Sequence, residues 1–484
     1  MIDTITNVNT AINNVVWGVP CLVLLIGAGL LMTILTKCFQ LTHLRHWWKN
    51  TIGAIFKKNG DAHDKTDKNS ISQFQSLCTA LAATVGVGNI AGVATAIISG
   101  GPGAIVWMWI AAFLGMMTNY SENVLGIYYR RKNAKGEWCG GAMYYLEDGL
   151  GGYKHLKWLG KTLAVLFSLF CVFASFGIGN ASQIGNIASN LKGVFNIPGW
   201  VTGAVLMVIA ALVIIGGIKR IASVTEKIVP FMVVLYIVGT LAIIIMNGSM
   251  ILPAFESIFK NMFGIKAAAG GVGGYVFGQV ITMGFKRGVF SNEAGLGSSV
   301  MVHSASNVKE PVKQGMWGIF EVFADTMVVC TLTALTILTS GLIDLNTGVA
   351  AVADKNALVS EVFTNAFGPA GGWFIAVAIL LFAFSTVLGW SYYGSKAWEY
   401  LFGTKSTMAY KIVFVLFIIV GATMSLDLAW GISDTFNGLM AIPNLIGVLS
   451  LSPLVMKITK NYVDRTFKHK DLTPMLSAFE KHSK

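Results

Sequence analysis

Ala82-Ala83-Thr84-Val85-Gly86-Val87-Gly88-Asn89-Ile90-Ala91-Gly92 sits inside a long apolar segment, 73–98. Three glycines, a threonine and an asparagine stand where a membrane helix should be uniformly greasy. Each glycine costs a helix ~1 kcal/mol relative to alanine. Their clustering predicts a helix that stops and restarts over 84–89. Irregular backbone at membrane depth persists only where it is packed in protein or lines a wet cavity. A competing reading is plain helix packing, because Gly88 and Gly92 form a GxxxG pair.

Composition places that segment in a bilayer. The chain has 484 residues, 54% hydrophobic and 12% charged, with a mean hydropathy of +0.66. Soluble proteins carry about 25% charged residues. The six cysteines show no CxxC spacing and fall mostly in apolar segments, so they read as buried thiols. No HExxH, paired metal spacing or GxSxG occurs, so nothing points to an enzyme. No organic cofactor is implied. The run Gly86 to Gly92 misses the dinucleotide spacing and lacks a βαβ context.

Apolar runs of ~20 residues, enough to span a bilayer, occur eleven times. They cover 15–36, 73–98, 104–129, 162–190, 198–217, 228–246, 268–285, 315–340, 371–394, 411–427 and 433–456. The first has Asp3 and no basic residue before it, so it reads as a retained helix and no signal peptide. Connections after the odd-numbered spans, with the C-terminal tail, hold 31 of the 35 Lys and Arg; Lys192, Lys260, Lys266 and Lys355 lie on the other side. Basic loops stay cytoplasmic. The expectation is a multi-pass protein of the cell membrane, N-terminus outside and C-terminus inside. The net charge of +12 is then a topology signal and gives no reason to expect nucleic acid.

The second span is Gly-interrupted, and so is the seventh, over Gly270 to Gly284. Five spans separate their starts, and they run in opposite directions. That predicts two inverted five-helix repeats, about 70–246 and 268–456. They follow an extra N-terminal helix over 15–36 and precede a tail over 457–484, all within one domain, 1–484. Interrupted spans at matching positions of two inverted halves point to a secondary transporter's midplane site. The loop 286–299 reads as cytoplasmic, packing under the bundle.

A broken helix offers carbonyls at the end of its first half and amides at the start of its second. Carbonyls near Ala82 and Val85 suit a cation. Amides near Gly86, Val87, Gly88 and Asn89 suit a carboxylate. Ser385 and Thr386 on the ninth span offer two hard oxygens, or bond back to their own helix. The fourth span carries a polar face of Ser175, Gly179, Ser182, Gln183, Asn186 and Asn190, beside Phe176 and Asn180. It suits a solute path or interhelical hydrogen bonds. Three acids look intramembrane: Glu122, and Glu321 with Asp325 one turn apart. Such residues are functional suspects by default. Glu122 also stands close enough to Arg130 and Arg131 for an interfacial role. Glu321 and Asp325 need a proton, a cation or a basic residue between them.

Gly100-Gly101-Pro102-Gly103-Ala104-Ile105-Val106-Trp107-Met108-Trp109 resembles the signature of the alanine or glycine:cation symporter family. The stretches 79–92, Gly140 to Tyr145, 284–298 and 384–393 are similar to the same family's. The resemblance spans nearly the whole chain. It implies an all-α fold like the leucine transporters, about eleven transmembrane helices, and sodium- or in some members proton-coupled uptake of alanine or glycine. By similarity, sodium falls on Ala82, Val85, Ser385 and Thr386, with the Phe382 carbonyl as a fifth ligand. By the same similarity, substrate falls on Thr84 to Asn89, with Gln279 and Thr282 of the seventh span. Read from the residues alone, bulky Phe176 and Trp390 cap a small cavity that favours alanine and glycine over leucine, with Asn180 beside the polar face. Glu122 resembles the acid that braces the break. The sodium-proximal asparagine of the neurotransmitter-transporter branch has no clear counterpart on the eighth span, where Glu321 and Asp325 stand, so the resemblance does not imply a second sodium site.

The expectation is a sodium-coupled importer of a small neutral amino acid working by alternating access, its partners being that solute, sodium and the bilayer. The alternatives are a proton-coupled importer of the same fold, or a channel. Oligomeric state is open. The charge asymmetry predicts that a cysteine placed at position 2 is labelled by an impermeant thiol reagent from outside the cell, and one at 470 is not. The reverse pattern would invert the assignment.

Overall fold

Ser72 starts the decisive helix. Its hydroxyl accepts the Gln75 N–H at 3.1 Å, and the Gln75 side chain accepts the Ser72 N–H at 3.2 Å. This reciprocal pair satisfies two N–H groups that a helix start leaves open. The helix then runs only from Gln73 to Thr84. Val85 leaves helical geometry (φ −78°, ψ 83°), and the chain restarts through a wide turn, Gly88–Gly92, into Val93–Gly100.

The computed structural model describes residues 2–57, 61–64, 66–67, 69–264, 273–345, 348–352 and 357–477. In chain order the principal helices are α1 (Ile2–Val16), α2 (Val19–Leu35), α3 (Gln73–Thr84), α4 (Val93–Gly100), α5 (Ala104–Tyr128), α6 (Lys157–Phe176), α7 (Ser182–Phe195) and α8 (Gly199–Ile214). They continue with α9 (Gly217–Met246), α10 (Gly273–Asn292), α11 (Pro311–Val322), α12 (Thr331–Thr339), α13 (Pro369–Phe402), α14 (Thr407–Thr423), α15 (Leu426–Ser450) and α16 (Ser452–Lys468). Among the described residues the only sheet is a two-stranded ribbon pairing Arg131 with Cys139 and Lys132 with Trp138. All six cysteines are free thiols.

Among the described residues, six helices, or eight if two bent pairs are joined, are long and apolar enough to cross a membrane; the eleven of the sequence are not all recovered by length alone. One reason is that the second span is two short helices. Another is that α8 has 16 residues. The fourth span is instead longer than expected, because α6 and α7 join through a wide turn into 39 residues.

The seventh span departs from expectation in a specific way. Gly270 to Val272 lie outside the described residues, but from Gly273 the helix is continuous to Asn292. Gly284 and Gly288 are packing glycines. A Cβ on Gly284 would stand 2.4 Å from the Trp107 Cβ and 2.6 Å from the Ala104 carbonyl, and one on Gly288 3.3 Å from the Ala111 Cβ. They let α10 press against α5, as GxxxG pairs do. The interruption comes later, at 293–299. Glu293 is left-handed (φ 57°), as are Gly295 (φ 90°) and Gly297 (φ 73°), before a single turn, Val300–His303. Every residue of 293–299 is buried. The stretch expected to be a cytoplasmic loop is the second break.

Lys286 and Arg287 misdirected that expectation. They lie within α10, Arg287 buried and Lys286 partly so, and both pair with Asp434 of α15: Lys286 Nζ at 2.8 Å and Arg287 at 3.0 Å. They are charges of the helix interior and do not belong to the cytoplasmic loop count.

Around the breaks, α3 packs on α9 and α13, α5 on α10 and α11, and α6 on α13 and α15. Two close approaches set this core. A Cβ on Gly389 would lie 2.7 Å from the Ala83 Cβ, and one on Gly179 2.3 Å from the Trp390 Cβ. Outward residues of α8, α9 and α14, such as Leu212, Val234 and Leu416, are exposed and apolar, as lipid-facing surface requires. Overpacking a tight core costs ~1–3 kcal/mol, so Gly179→Ala should lower the melting temperature. Gly193→Ala, on α7 with nothing within 4 Å of its added Cβ, should leave it unchanged or raise it. Equal melting temperatures for the two variants would contradict the close approach.

Candidate substrate and cation site

Four oxygens converge where α3 ends. The Ala82 carbonyl accepts from Thr386 Oγ1 at 3.0 Å and lies 3.3 Å from Ser385 Oγ. The Phe382 carbonyl, one turn below on α13, lies 2.8 Å from Ser385 Oγ and 3.1 Å from Thr386 Oγ1. Each hydroxyl has one proton and two carbonyls within reach, so neither reading of the serine–threonine pair stands alone: they bond back to their helix and also bridge to the break. All four residues are buried. Val85, the remaining candidate ligand, is buried at the break itself. Oxygens of this kind suit hard cations.

The amides of the break are not bare. Gly86 N–H donates to Asn89 Oδ1 at 2.9 Å, and Val87 N–H donates to Gln183 Oε1 at 3.2 Å. Gln183 comes from α7 and is held from behind by donating to the Ile178 carbonyl at 2.9 Å. Thr84 Oγ1 donates to the Ala80 carbonyl of its own helix at 3.3 Å. Gly88 faces the second break's helix: a Cβ there would stand 3.1 Å from the Phe290 ring and 3.2 Å from the Ser291 Cα. A Cβ on Gly86 would meet Thr386 Oγ1 at 2.3 Å and Gln183 Oε1 at 3.0 Å. Of the two glycines, Gly86 is the one pressed on the oxygen cluster.

Asn89 links the breaks. Its Nδ2 donates to Asp325 Oδ1 at 2.6 Å, and Ser291 Oγ and Thr326 Oγ1 each donate to Asp325 Oδ2 at 2.8 Å. Glu321 turns to His303, whose Nε2 lies 2.8 Å from its Oε2. The two acids expected to repel thus have separate partners. Glu122 is fully buried and away from the arginines. Arg130 donates to the Ser306 carbonyl at 2.8 Å, and Arg131 pairs with Asp148. Asn444 instead donates to Glu122 Oε1 at 2.5 Å and to the Gly295 carbonyl at 2.9 Å. Glu122 therefore braces the second break, through Asn444.

Trp390 lies where α13 meets the second break, donating its indole N–H to Glu293 Oε1 at 2.6 Å. Glu293 also accepts from Ser298. The remaining candidates lie apart. Phe176 packs its ring against Tyr410, Phe414 and Phe417, and Asn180 donates to the Phe414 carbonyl at 2.9 Å, so both face α14. Gln279 is exposed and donates to the Ser99 carbonyl at 3.0 Å. At 1.5 Å rise per residue, Gln279 and Thr282 lie about 21 Å and 16 Å along α10 from Glu293, too far to reach it.

A cavity of about 630 Å³ reaches this region. It is lined by Val87, Ile90 and Ala91 of the first break, by Asn186 and Asn190 of α7, and by residues 357–373 before and at the start of α13. The outer part of the polar face on the fourth span does border a path to the break. Ser291, Asn292, Glu293, His303 and Asn444 were not singled out as site residues in the sequence, and Gln183 stood out only as part of the fourth span's polar face. The available signal was Ser291 to Ser299, a run of small and polar residues with two glycines, masked by the basic pair before it.

The family model of the sodium:alanine symporters matches residues 2–476. The chain belongs to the sodium:alanine symporter family. It is 46% identical to the sodium/alanine symporter AgcS of Methanococcus maripaludis, over 95% of this chain and 97% of that one. It is 36% identical to a probable sodium/glutamine symporter, GlnT, of Bacillus subtilis, over 95% and 91%. Among solved structures it shares the fold of MhsT in complex with L-phenylalanine, with a TM-score of 0.53 and 14% identity, over 80% of this chain and 98% of that one. Members of this symporter family are transporters, not enzymes, and the fold is that of the leucine transporters.

If the oxygen cluster binds sodium, the symporter should be stabilised by it, since a ligand of the native state raises stability by RT ln(1 + [L]/Kd). Gly86→Ala displaces the Thr386 hydroxyl and should abolish the sodium-induced rise in melting temperature. Gly88→Ala should lower the melting temperature but retain the rise. A full sodium shift in Gly86→Ala would separate that glycine from the cation.

Proposed function

We propose that this protein imports a small neutral amino acid, alanine or glycine, with sodium as the coupling ion, by alternating access around the two breaks. The observation that carries the reading is the convergence of the Ala82 and Phe382 carbonyls with the Ser385 and Thr386 hydroxyls. The ligands are neutral oxygens, and none of them titrates. A monovalent hard cation suits such a set, whereas a proton needs a basic group. That favours sodium over the proton-coupled alternative at this site.

The substrate's carboxylate and amine would lie at Thr84 to Asn89, in the position where Gln183 now caps the Val87 amide. Displacement of Gln183 by a carboxylate exchanges one acceptor for a charged one, which hydrogen-bonds about twice as strongly. The close contacts Gly389–Ala83 and Gly179–Trp390 leave little space beside the break, and a surplus methylene in a tight apolar site costs ~1–3 kcal/mol. This supports a small side chain. The names of the relatives cover both alanine and glutamine, so size discrimination comes from the pocket rather than from the family. The N-terminus is proposed outside and the C-terminus in the cytoplasm, on the loop charges that remain after Lys286 and Arg287 are removed from the count.

The test is uptake by proteoliposomes of a panel of amino acids under imposed sodium or proton gradients. Alanine or glycine uptake should require sodium. The double variant Ser385→Ala, Thr386→Ala should raise the sodium concentration for half-maximal uptake at least tenfold. Unchanged sodium dependence in the folded variant would show that the hydroxyls serve only their own helix.

A further inference from the structure

A second cavity, of about 500 Å³, opens on the side of the basic loops, between the α8–α9 turn, the C-terminal end of α13 and the start of α14. Four lysines and two glutamates line it: Lys135, Lys396, Lys405, Lys411, Glu137 and Glu399. Lys396 is committed. It is buried, pairs with Glu399 at 2.8 Å and lies 3.8 Å from Glu137. Both acids have further partners, Asn133 donating to each and Thr404 to Glu399. Among the described residues Lys135, Lys405 and Lys411 make no ion pair. Four ammonium groups against two carboxylates leave this concave site two positive charges in excess, with Lys135, Lys405 and Lys411 uncommitted. Two long helices, α9 at Gly217 and α14 at Thr407, begin on the cavity wall, adding the partial positive charge of their N-termini.

The other wall is apolar and faces outward. Ile215 and Met408 line the cavity and are exposed. Beyond them, exposed Val208 and Leu212 on α8 and Ile412 and Leu416 on α14 continue along two helices that pack together. A basic pocket that opens onto lipid-facing helices combines a seat for an anionic headgroup with a wall for acyl chains. Basic pockets between membrane helices on the cytoplasmic side bind such headgroups.

We infer that this cavity binds an anionic phospholipid, its phosphate held by Lys135, Lys405 and Lys411 and its chains lying along α8 and α14. The chemistry shared with free phosphate is the anion. The apolar wall favours the lipid.

The test uses the purified full-length protein, depleted of lipid and titrated with dioctanoyl phosphatidylglycerol, dioctanoyl phosphatidylcholine or inorganic phosphate. Phosphatidylglycerol should bind saturably and at least tenfold more tightly than either of the others. The triple variant Lys135→Gln, Lys405→Gln, Lys411→Gln should lose at least tenfold in that affinity. Its melting temperature and sodium-dependent uptake in neutral lipid should match the parent, which separates this site from the transport site. Equal binding of phosphatidylcholine, or undiminished binding by the folded triple variant, would overturn the assignment. Inorganic phosphate binding as tightly as phosphatidylglycerol would overturn the lipid and leave a soluble-anion site.

Discussion

A helix interrupted inside a bilayer exposes backbone N–H and C=O groups that no water can satisfy, and each one left bare costs several kcal/mol. Both breaks meet that constraint with side chains, one from the interrupted segment itself and others from neighbouring helices. At the first, Asn89 and Gln183 accept from the Gly86 and Val87 amides, and Ser385 and Thr386 reach the Ala82 carbonyl. At the second, Asn292 Oδ1 accepts the Ala294 N–H at 3.0 Å, and Asn444 donates to the Gly295 carbonyl. The polar residues of the core are thus first of all the complement of unwound backbone. On the proposed function, the same groups are those a zwitterion and a cation would borrow, because each is held by hydrogen bonds that a ligand can replace in kind.

The two breaks are also coupled. Asn89 caps Gly86 with its oxygen and donates to Asp325 with its nitrogen, while Ser291, just before the second break, donates to the other oxygen of the same carboxylate. Trp390 is pressed on Gly179 and bonded to Glu293, joining α13 to the second break four residues beyond Thr386. Movement of α13 relative to the breaks would have to exchange the Ser385 and Thr386 bonds to the Ala82 carbonyl at the first and the Trp390 bond to Glu293 at the second. Rearrangement between discrete packings, rather than gradual deformation, is what close-packed cores permit.

Much of this was legible in one sequence. Eleven apolar runs and a lopsided distribution of lysine and arginine describe a polytopic membrane protein. Glycines at 86, 88 and 92 in a spanning segment announce the first break, because local backbone cost needs no tertiary context. Ser385 and Thr386 stand out as adjacent hydroxyls in an apolar helix. The second break was misplaced because glycine serves two ends: Gly284 and Gly288 look like helix breakers but pack α10 against α5. Lys286 and Arg287 look like loop charges but both pair with Asp434, nearly 150 residues away in the chain.

The sequence by itself determined the class of protein, the family and the place where the first helix stops, since each depends on composition or on local conformational cost. Only the tertiary structure decided which partners satisfy the unwound backbone, that Glu122 acts through Asn444, that Glu321 pairs with His303, and that Phe176, Asn180, Gln279 and Thr282 lie away from the breaks. Those outcomes rest on contacts between residues far apart in the chain, and helical periodicity sets the face a side chain occupies without setting the helix that meets it.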